Sequence, residues 1–238
     1  MMFKKNKIIL ALDTSDLNKA LKIVKDIDES VIFKLGMEFF YSFGFEGVEK
    51  LKTISPNMKI FLDLKFHDIP NTVCKSIIPL IKRVRPFMIT LHTTGGLNMM
   101  CEVVKRVKEF PKIKRPLLLG VTVLTSLNSK ALRELGWPEN VNQNVIKYAL
   151  LAKKAGLNGI VCSALEIELV RKACGKNFTI VTPGIRFNNN KNEDQARVVT
   201  PEEAFKKGTD YIVIGRPIMN ASNPKKELSR ITGKIQCA

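Results

Sequence analysis

The sequence predicts an α/β protein, a single-domain (β/α)8 TIM barrel occupying residues 1–238. Eight short apolar runs recur along the chain, and segments with helical periodicity separate them. Most of the runs lack the alternation of a half-exposed strand, so they are expected to be buried on both faces, as in a parallel sheet covered by helices. Eight such strands in a chain of 238 residues favour a closed barrel.

The predicted strands cover residues 7–12, 31–35, 59–64, 87–91, 117–123, 158–161, 178–182 and 210–214. Between them the apolar period changes to about 3.6 residues, which is typical of crossover helices packed on a sheet. The clearest helical faces consist of Leu17, Ala20, Leu21, Val24 and Ile27, and of Val145, Tyr148, Ala149, Ala152 and Ala155. Gly156 and Gly208 are expected at helix ends that lead into the next strand. No change in composition marks a second domain.

The composition is ordinary for a globular protein, with 45% hydrophobic and 26% charged residues. No segment approaches the roughly 20 apolar residues that span a bilayer, so no membrane association is expected. The basic start of the chain leads into an apolar run at 8–12 that is too short for a signal peptide, which predicts a cytoplasmic protein. The five cysteines include no C-x-x-C pair, so reduced thiols are expected.

The formal net charge of +17 raises nucleic acid as a partner. The lysines are nevertheless spread over most predicted helices together with acidic residues, and no basic block is interleaved with aromatic residues. A lysine-rich, solvated surface is therefore the favoured interpretation, and no nucleic-acid partner is expected. The same positive field would attract an anionic substrate.

Polar residues stand at the carboxyl ends of most predicted strands, where a (β/α)8 barrel carries its active site. The set consists of Asp13, Lys34, Asp63, Lys65, His92, Thr122, Thr125, Arg186, Gly215 and Arg216. One polar residue at a strand end usually caps a helix or meets solvent. Charged groups at strand after strand indicate function, because buried charges are costly unless they are paired or functional.

The segment 63–72 is the densest of these clusters. A spacing of two along an extended segment puts Asp63 and Lys65 on one face. An internal salt bridge would explain one such pair, but Lys34 on the neighbouring strand favours a network of alternating ammonium and carboxylate groups. A preorganised ammonium can stabilise negative charge that develops on carbon, and it can deliver a proton. Schiff-base chemistry is disfavoured, because it requires a neutral lysine and the carboxylates keep Lys65 charged.

A second cluster follows the last two predicted strands. Arg186 comes after the seventh strand, and Gly215 with Arg216 comes after the eighth. Barrels often bind phosphate at this position. Backbone N–H groups near glycine and the forked guanidinium of arginine suit phosphate oxygens, so a phosphorylated ligand is predicted here.

Six motifs along the chain resemble those of the bacterial orotidine 5′-monophosphate decarboxylase family. They are LALD at 10–13, FKLG at 33–36, DLKFHDIPNTV at 63–73, VTVLTS at 121–126, VTPGIR at 181–186 and IGRP at 214–217. The motifs stand in family order, and the segment at 63–73 is the most specific. The resemblance implies an enzyme that converts orotidine 5′-monophosphate to UMP, the last step of de novo pyrimidine synthesis, without a metal or organic cofactor.

The resemblance also implies roles for individual residues. The catalytic tetrad would be Lys34, Asp63, Lys65 and Asp68, with Lys65 protonating carbon 6 of the pyrimidine. The active form would be a homodimer in which Asp68 and Thr72 reach into the partner's site. Substrate contacts would come from Asp13 and Lys34 at the ribose hydroxyls, Thr125 at the pyrimidine, and Arg186, Gln195, Gly215 and Arg216 at the phosphate region.

The loop at 187–194 departs from the family, because it reads FNNNKNED where bacterial relatives tend to carry small residues. This departure bears on loop closure and not on the chemistry. The nearest alternative is a magnesium-dependent sugar-phosphate enzyme, such as a keto-gulonate phosphate decarboxylase or hexulose phosphate synthase, which shares the D-x-K-x-x-D element. The sequence IPNT at 69–72 and the paired Lys34 disfavour it. A non-catalytic nucleic-acid-binding barrel rests on the net charge alone.

Overall fold

A computed structural model describes residues 7–27, 30–137, 140–185 and 199–236. Eight parallel strands pair in sequence order and close into a barrel, because β1 pairs with both β2 and β8. The strands are β1 (Ile8–Ala11), β2 (Ile32–Gly36), β3 (Lys59–Phe66), β4 (Met88–His92), β5 (Leu117–Val121), β6 (Gly159–Val161), β7 (Thr179–Thr182) and β8 (Tyr211–Ile214). The predicted (β/α)8 barrel is confirmed, and the strand ends differ from the prediction by at most two residues.

Helices connect the strands and cover the outside of the barrel. They are α1 (Leu17–Asp26), α2 (Met37–Ile54), α3 (Pro70–Arg83), α4 (Gly96–Lys108), α5 (Ser129–Glu134), α6 (Val141–Ala155), α7 (Ile167–Cys174), α8 (Pro201–Lys207), α9 (Arg216–Met219) and α10 (Pro224–Gln236). Both helix ends predicted from glycine are confirmed, since Gly156 has a φ of 86° and Gly208 a φ of 102° in the left-handed region. Among the helices that these residues form, none combines the length and apolarity that a bilayer crossing requires.

The strand side chains alternate between two apolar layers. Ile8 and Leu10 of β1 pack outward against the helices, whereas Ile9 between them faces the barrel interior. The interior layer consists of Ile9, Ile32, Phe61, Met88, Leu119 and Val181, and all of them are buried. This layer closes the interior of the barrel below the site.

The same alternation places polar side chains in the next interior layer, toward the carboxyl ends of the strands. Lys34 stands two residues after Ile32 in β2, and Asp63 stands two residues after Phe61 in β3. Because side chains two apart on a strand share a face, both groups enter the interior near the carboxyl ends of the strands. The apolar layer thus forms the floor of a charged mouth.

The glycine in β6 is required by the close approach of β7. A Cβ atom at Gly159 would lie 2.1 Å from the carbonyl oxygen of Thr179, which no small side-chain adjustment relieves. We expect Gly159→Ala to lower the free energy of unfolding by about 1–3 kcal/mol, the usual range for overpacking. Urea denaturation followed by circular dichroism measures this change.

The matched control is Gly233→Ala on the exposed face of α10, where a Cβ would meet no heavy atom within 4 Å. Since alanine favours a helix over glycine by about 0.5–1 kcal/mol, this variant is expected to be at least as stable as the wild type. Equal stability of the two variants would show that the β6–β7 contact is not as close as described.

Candidate active site

Four charged side chains form one chain of ion pairs at the carboxyl ends of β1, β2 and β3. The Nζ atom of Lys34 lies 2.9 Å from Oδ1 of Asp13 and 3.6 Å from Oδ2 of Asp63. The Nζ atom of Lys65 lies 3.0 Å from the same Oδ2 of Asp63. The sequence predicts an alternating network of two ammonium groups and two or three carboxylates, and the fold contains two of each.

The network is buried at its centre and more exposed at both ends, where the side chain of Lys65 is 29% exposed. The side chain of Lys34 is 9% exposed and that of Asp63 is 13% exposed, whereas Asp13 is 51% exposed. The two carboxylates that pair with Lys34 compensate the cost of burying its side chain. Burial also excludes water from between the charges, so each acts more strongly on a bound molecule than it would in solvent.

The backbone of β3 bulges at Lys65, which the sequence did not predict. Leu62 pairs with Ile89 and Phe66 pairs with Leu91, so three residues of β3 stand opposite Thr90 alone. Lys65 has a φ of 49°, in the left-handed region that side chains rarely occupy. The prediction of a simple extended segment is wrong at this point. The side chains of Asp63 and Lys65 still form an ion pair, although the backbone between them is not regularly extended.

Thr90 on β4 fills the space opposite the bulge. It is fully buried, its hydroxyl donates to Oδ1 of Asp63 over 3.0 Å, and it accepts the backbone N–H of Lys65 over 2.9 Å. Sequence reasoning missed this residue, because an isolated threonine inside an apolar run is typical of an ordinary strand.

Gly36 leaves the space that the Lys34–Asp13 pair occupies. A Cβ atom at this position would lie 3.0 Å from Nζ of Lys34 and 3.1 Å from Oδ1 of Asp13. Gly36 belongs to the FKLG motif, but its motif neighbours give no sign of this contact. The absence of a side chain here is therefore part of the geometry of the network.

Two histidines stack beside the network. The rings of His67 and His92 lie 5.1 Å apart at an interplanar angle of 25°, and Oγ1 of Thr94 lies 2.6 Å from Nδ1 of His92. Burial, followed by electrostatic interaction with His67 and Lys65, lowers the pKa of His92 from 6.5 to about 4. His92 is therefore neutral at pH 7, and it adds no third positive charge to the two lysines.

The other predicted site residues lie apart from this network. Asp68 is exposed, and its Oδ1 accepts the backbone N–H of Ile69 over 2.6 Å. Thr72 is exposed in the first turn of α3, and Thr125 is exposed in the loop between β5 and α5. The structure does not bring these three side chains to the ion pairs within one chain.

The predicted phosphate cluster is described only in part. Gly215 and Arg216 begin α9 directly after β8, and Arg216 is exposed. Arg186, Gln195 and the loop at 187–194 lie outside the described residues. Within the described ranges, no group of three or more His, Cys, Asp or Glu side chains is arranged to hold a metal ion.

The fold and the network together define the class of this protein: a (β/α)8-barrel enzyme with its charged site at the carboxyl ends of the strands. Residues 6–231 match the family described as Orotidine 5'-phosphate decarboxylase / HUMPS family. The chain belongs to this family.

Individual relatives agree with the family match. The chain is 50% identical to an orotidine 5'-phosphate decarboxylase of Wolbachia pipientis over 92% of this chain and 94% of the relative. It is 42% identical to one of Legionella pneumophila, over 94% and 97% of the two chains. A crystal structure of orotidine 5'-phosphate decarboxylase from Lactobacillus acidophilus superposes with a TM-score of 0.85 at 34% identity, covering 97% of this chain and 99% of that one. The resemblance recognised in the sequence motifs is confirmed, and the chain is an enzyme of the carboxy-lyase class.

The depressed pKa of His92 makes stability depend on pH. The unfolded chain binds a proton near pH 6.5, whereas the folded chain binds it only near pH 4, so the unfolded state gains protons first as the pH falls. We expect the free energy of unfolding to decrease between these two values, and His92→Asn to make that decrease smaller. Urea midpoints measured at several pH values provide the comparison.

The pH range above 7 serves as the internal control, because His92 is neutral there in both the folded and the unfolded state. The difference in stability between the two proteins should be constant in that range. If His92→Asn and the wild type kept a constant difference down to pH 4 as well, the assignment of a buried neutral imidazole would be contradicted.

Proposed function

We propose that this protein decarboxylates orotidine 5′-monophosphate to UMP in de novo pyrimidine synthesis, with Lys65 as the proton donor and without a cofactor. The observation that carries the proposal is the Lys65 ammonium, which Asp63 holds at 3.0 Å in the mouth of a barrel of this family. The proposed enzyme is one domain that spans residues 1–238.

The chemistry requires charge stabilisation on a carbon atom. When the bond between carbon 6 and the carboxylate breaks, carbon dioxide leaves and its electron pair stays on carbon 6. The Lys65 ammonium stabilises that negative charge and then donates a proton to carbon 6. The resulting neutral amine regains a proton from water. The effect of the ammonium is large because the ion pair with Asp63 orients it before the reaction begins.

The ribose, pyrimidine and phosphate of the nucleotide contact other residues at the carboxyl ends of the strands. Asp13 and Lys34 bind the ribose hydroxyls in this proposal, which suits a carboxylate and an ammonium that already pair at 2.9 Å. Thr125 binds the pyrimidine. The phosphate region contacts Gly215, Arg216, Arg186 and Gln195, and the forked guanidinium of Arg216, exposed at the start of α9, suits phosphate oxygens. Binding energy from the phosphate contacts would help to stabilise the transition state.

A homodimer completes the site in this proposal, with Asp68 and Thr72 supplied by the partner. Both residues are exposed in the single chain, and they flank the start of α3. Ile69 between them is 66% exposed, and the partner would cover it in the proposed dimer. No role for nucleic acid is proposed, and a cytoplasmic location stays a prediction.

The direct test is the loss of orotate absorbance when the metal-stripped protein is added to orotidine 5′-monophosphate. The wild type is expected to turn over the nucleotide, and Lys65→Ala is expected to lose at least about 1,000-fold in kcat because it lacks the proton donor and the positive charge. Lys172→Ala, which removes an exposed lysine on α7, is the matched control and should retain wild-type turnover.

Two outcomes would contradict the proposal. Near-normal turnover by Lys65→Ala would remove Lys65 as the proton donor. The second is a folded wild type that is inactive on this nucleotide but acts on a sugar phosphate after magnesium is restored. This result would identify the protein as a magnesium-dependent sugar-phosphate enzyme.

The shared site can be tested by mixing two inactive variants. If Asp68 acts in the partner's site, a heterodimer of Lys65→Ala and Asp68→Asn contains one site with both residues intact. An equal mixture that has exchanged subunits should then recover about a quarter of wild-type activity. Each variant alone is the control.

The absence of recovery in that mixture, with subunit exchange verified by mass spectrometry, would contradict the shared site. In that case Asp68 would not complete the active site of the partner subunit.

A further inference from the structure

We propose that Thr90 is a positioning residue for the decarboxylation: its buried hydroxyl orients the Asp63 carboxylate and fixes the backbone of Lys65. The inference rests on the proposed function, because it concerns how the proton donor is held. It adds a residue from β4 to a network formed by β1, β2 and β3.

The hydrogen bonds of the Thr90 hydroxyl have defined directions. A backbone N–H can only donate, so the oxygen of Thr90 accepts from Lys65 over 2.9 Å. The single hydroxyl hydrogen is then free to point at Oδ1 of Asp63, 3.0 Å away. Thr90 is 0% exposed, so water does not compete for either bond. One side chain therefore links the two residues that the mechanism requires to stay together.

The bond to Asp63 fixes the rotation of its carboxylate. Oδ2 of Asp63 receives both ammonium groups, at 3.0 Å from Lys65 and 3.6 Å from Lys34. Oδ1 receives the Thr90 hydroxyl. Because the two oxygens have different partners, the carboxylate plane has one preferred orientation. Without the hydroxyl, the carboxylate could turn, and Nζ of Lys65 would lose its fixed position.

The bond to Lys65 supports an unfavourable backbone conformation. Lys65 has a φ of 49°, and the bulge places Asp63, Leu64 and Lys65 opposite Thr90 alone. A non-glycine residue in this region persists only when its surroundings hold it there, and such residues cluster at active sites. The Thr90 oxygen takes the N–H that the interrupted ladder leaves at Lys65. It thereby holds both ends of the proton donor, the backbone directly and the ammonium through Asp63.

The test compares Thr90→Val, which keeps the β-branched shape without the hydroxyl, with Thr90→Ser, which keeps the hydroxyl. For Thr90→Val we expect kcat to fall about 10- to 100-fold with KM changed by less than about threefold, as loss of a hydrogen bond to a charged group implies. Thr90→Ser should stay within about threefold of the wild type in kcat, because the bonding group is retained.

The control is Thr232→Val, another buried threonine, whose hydroxyl donates to the carbonyl of Ser229 in α10. It should keep wild-type kcat, since it does not touch the network. Circular dichroism and thermal unfolding verify folding for every variant, and Thr90→Ala replaces Thr90→Val in the same comparison if the valine variant does not fold.

The outcomes separate the two proposals. A folded Thr90→Val with kcat within about threefold of an active wild type would overturn the positioning role and leave the proposed function intact. Equal losses in Thr90→Val and Thr90→Ser would also overturn it, because the hydroxyl would not be the determinant. An inactive wild type would overturn the proposed function, and the role of Thr90 with it.

Discussion

The structure of the site depends on one carboxylate. Asp63 pairs with both Lys34 and Lys65, and without it two ammonium groups would face each other in a space that excludes most water. Like charges in such an environment repel strongly, and an unpaired buried charge is more costly still. The carboxylate thus allows two ammonium groups to lie close together in the folded protein before any substrate binds.

The barrel makes this arrangement possible by separating its interior into layers. The apolar floor formed by Ile9, Ile32, Phe61, Met88, Leu119 and Val181 closes the interior below the network. Parallel strands that run in the same direction bring the next inward positions of β2, β3 and β4 to one height, where Lys34, Asp63 and Thr90 meet. The neutral His92 borders the same space without adding charge. The fold therefore places two ammonium groups, each paired with a carboxylate, at the carboxyl ends of the strands, where they can contact an anionic substrate.

Much of this could be predicted from the sequence, because it follows from short-range pattern. The continuous apolar runs predicted all eight strands, and the polar residues at their ends predicted the members of the ion-pair network. Gly156 and Gly208 were recognised as helix ends because left-handed caps favour glycine.

The remaining features depend on contacts between strands that no local pattern specifies. No glycine or asparagine marks the left-handed conformation of Lys65, which is held by Thr90 from the neighbouring strand. The stacking of His67 on His92 likewise requires the pairing of β3 with β4. Gly36 stands in a recognised motif, yet its role is the space beside Lys34, which exists only in three dimensions.

A crystal structure of the protein with UMP would test the central claim most directly. The account predicts that carbon 6 of the pyrimidine lies within about 3.5 Å of Nζ of Lys65, close enough for proton transfer. It also predicts that the phosphate contacts Arg216 and that Asp68 of the partner subunit lies near the pyrimidine ring. A pyrimidine bound away from Lys65, with the Lys65–Asp63 pair intact and remote from the ring, would contradict it.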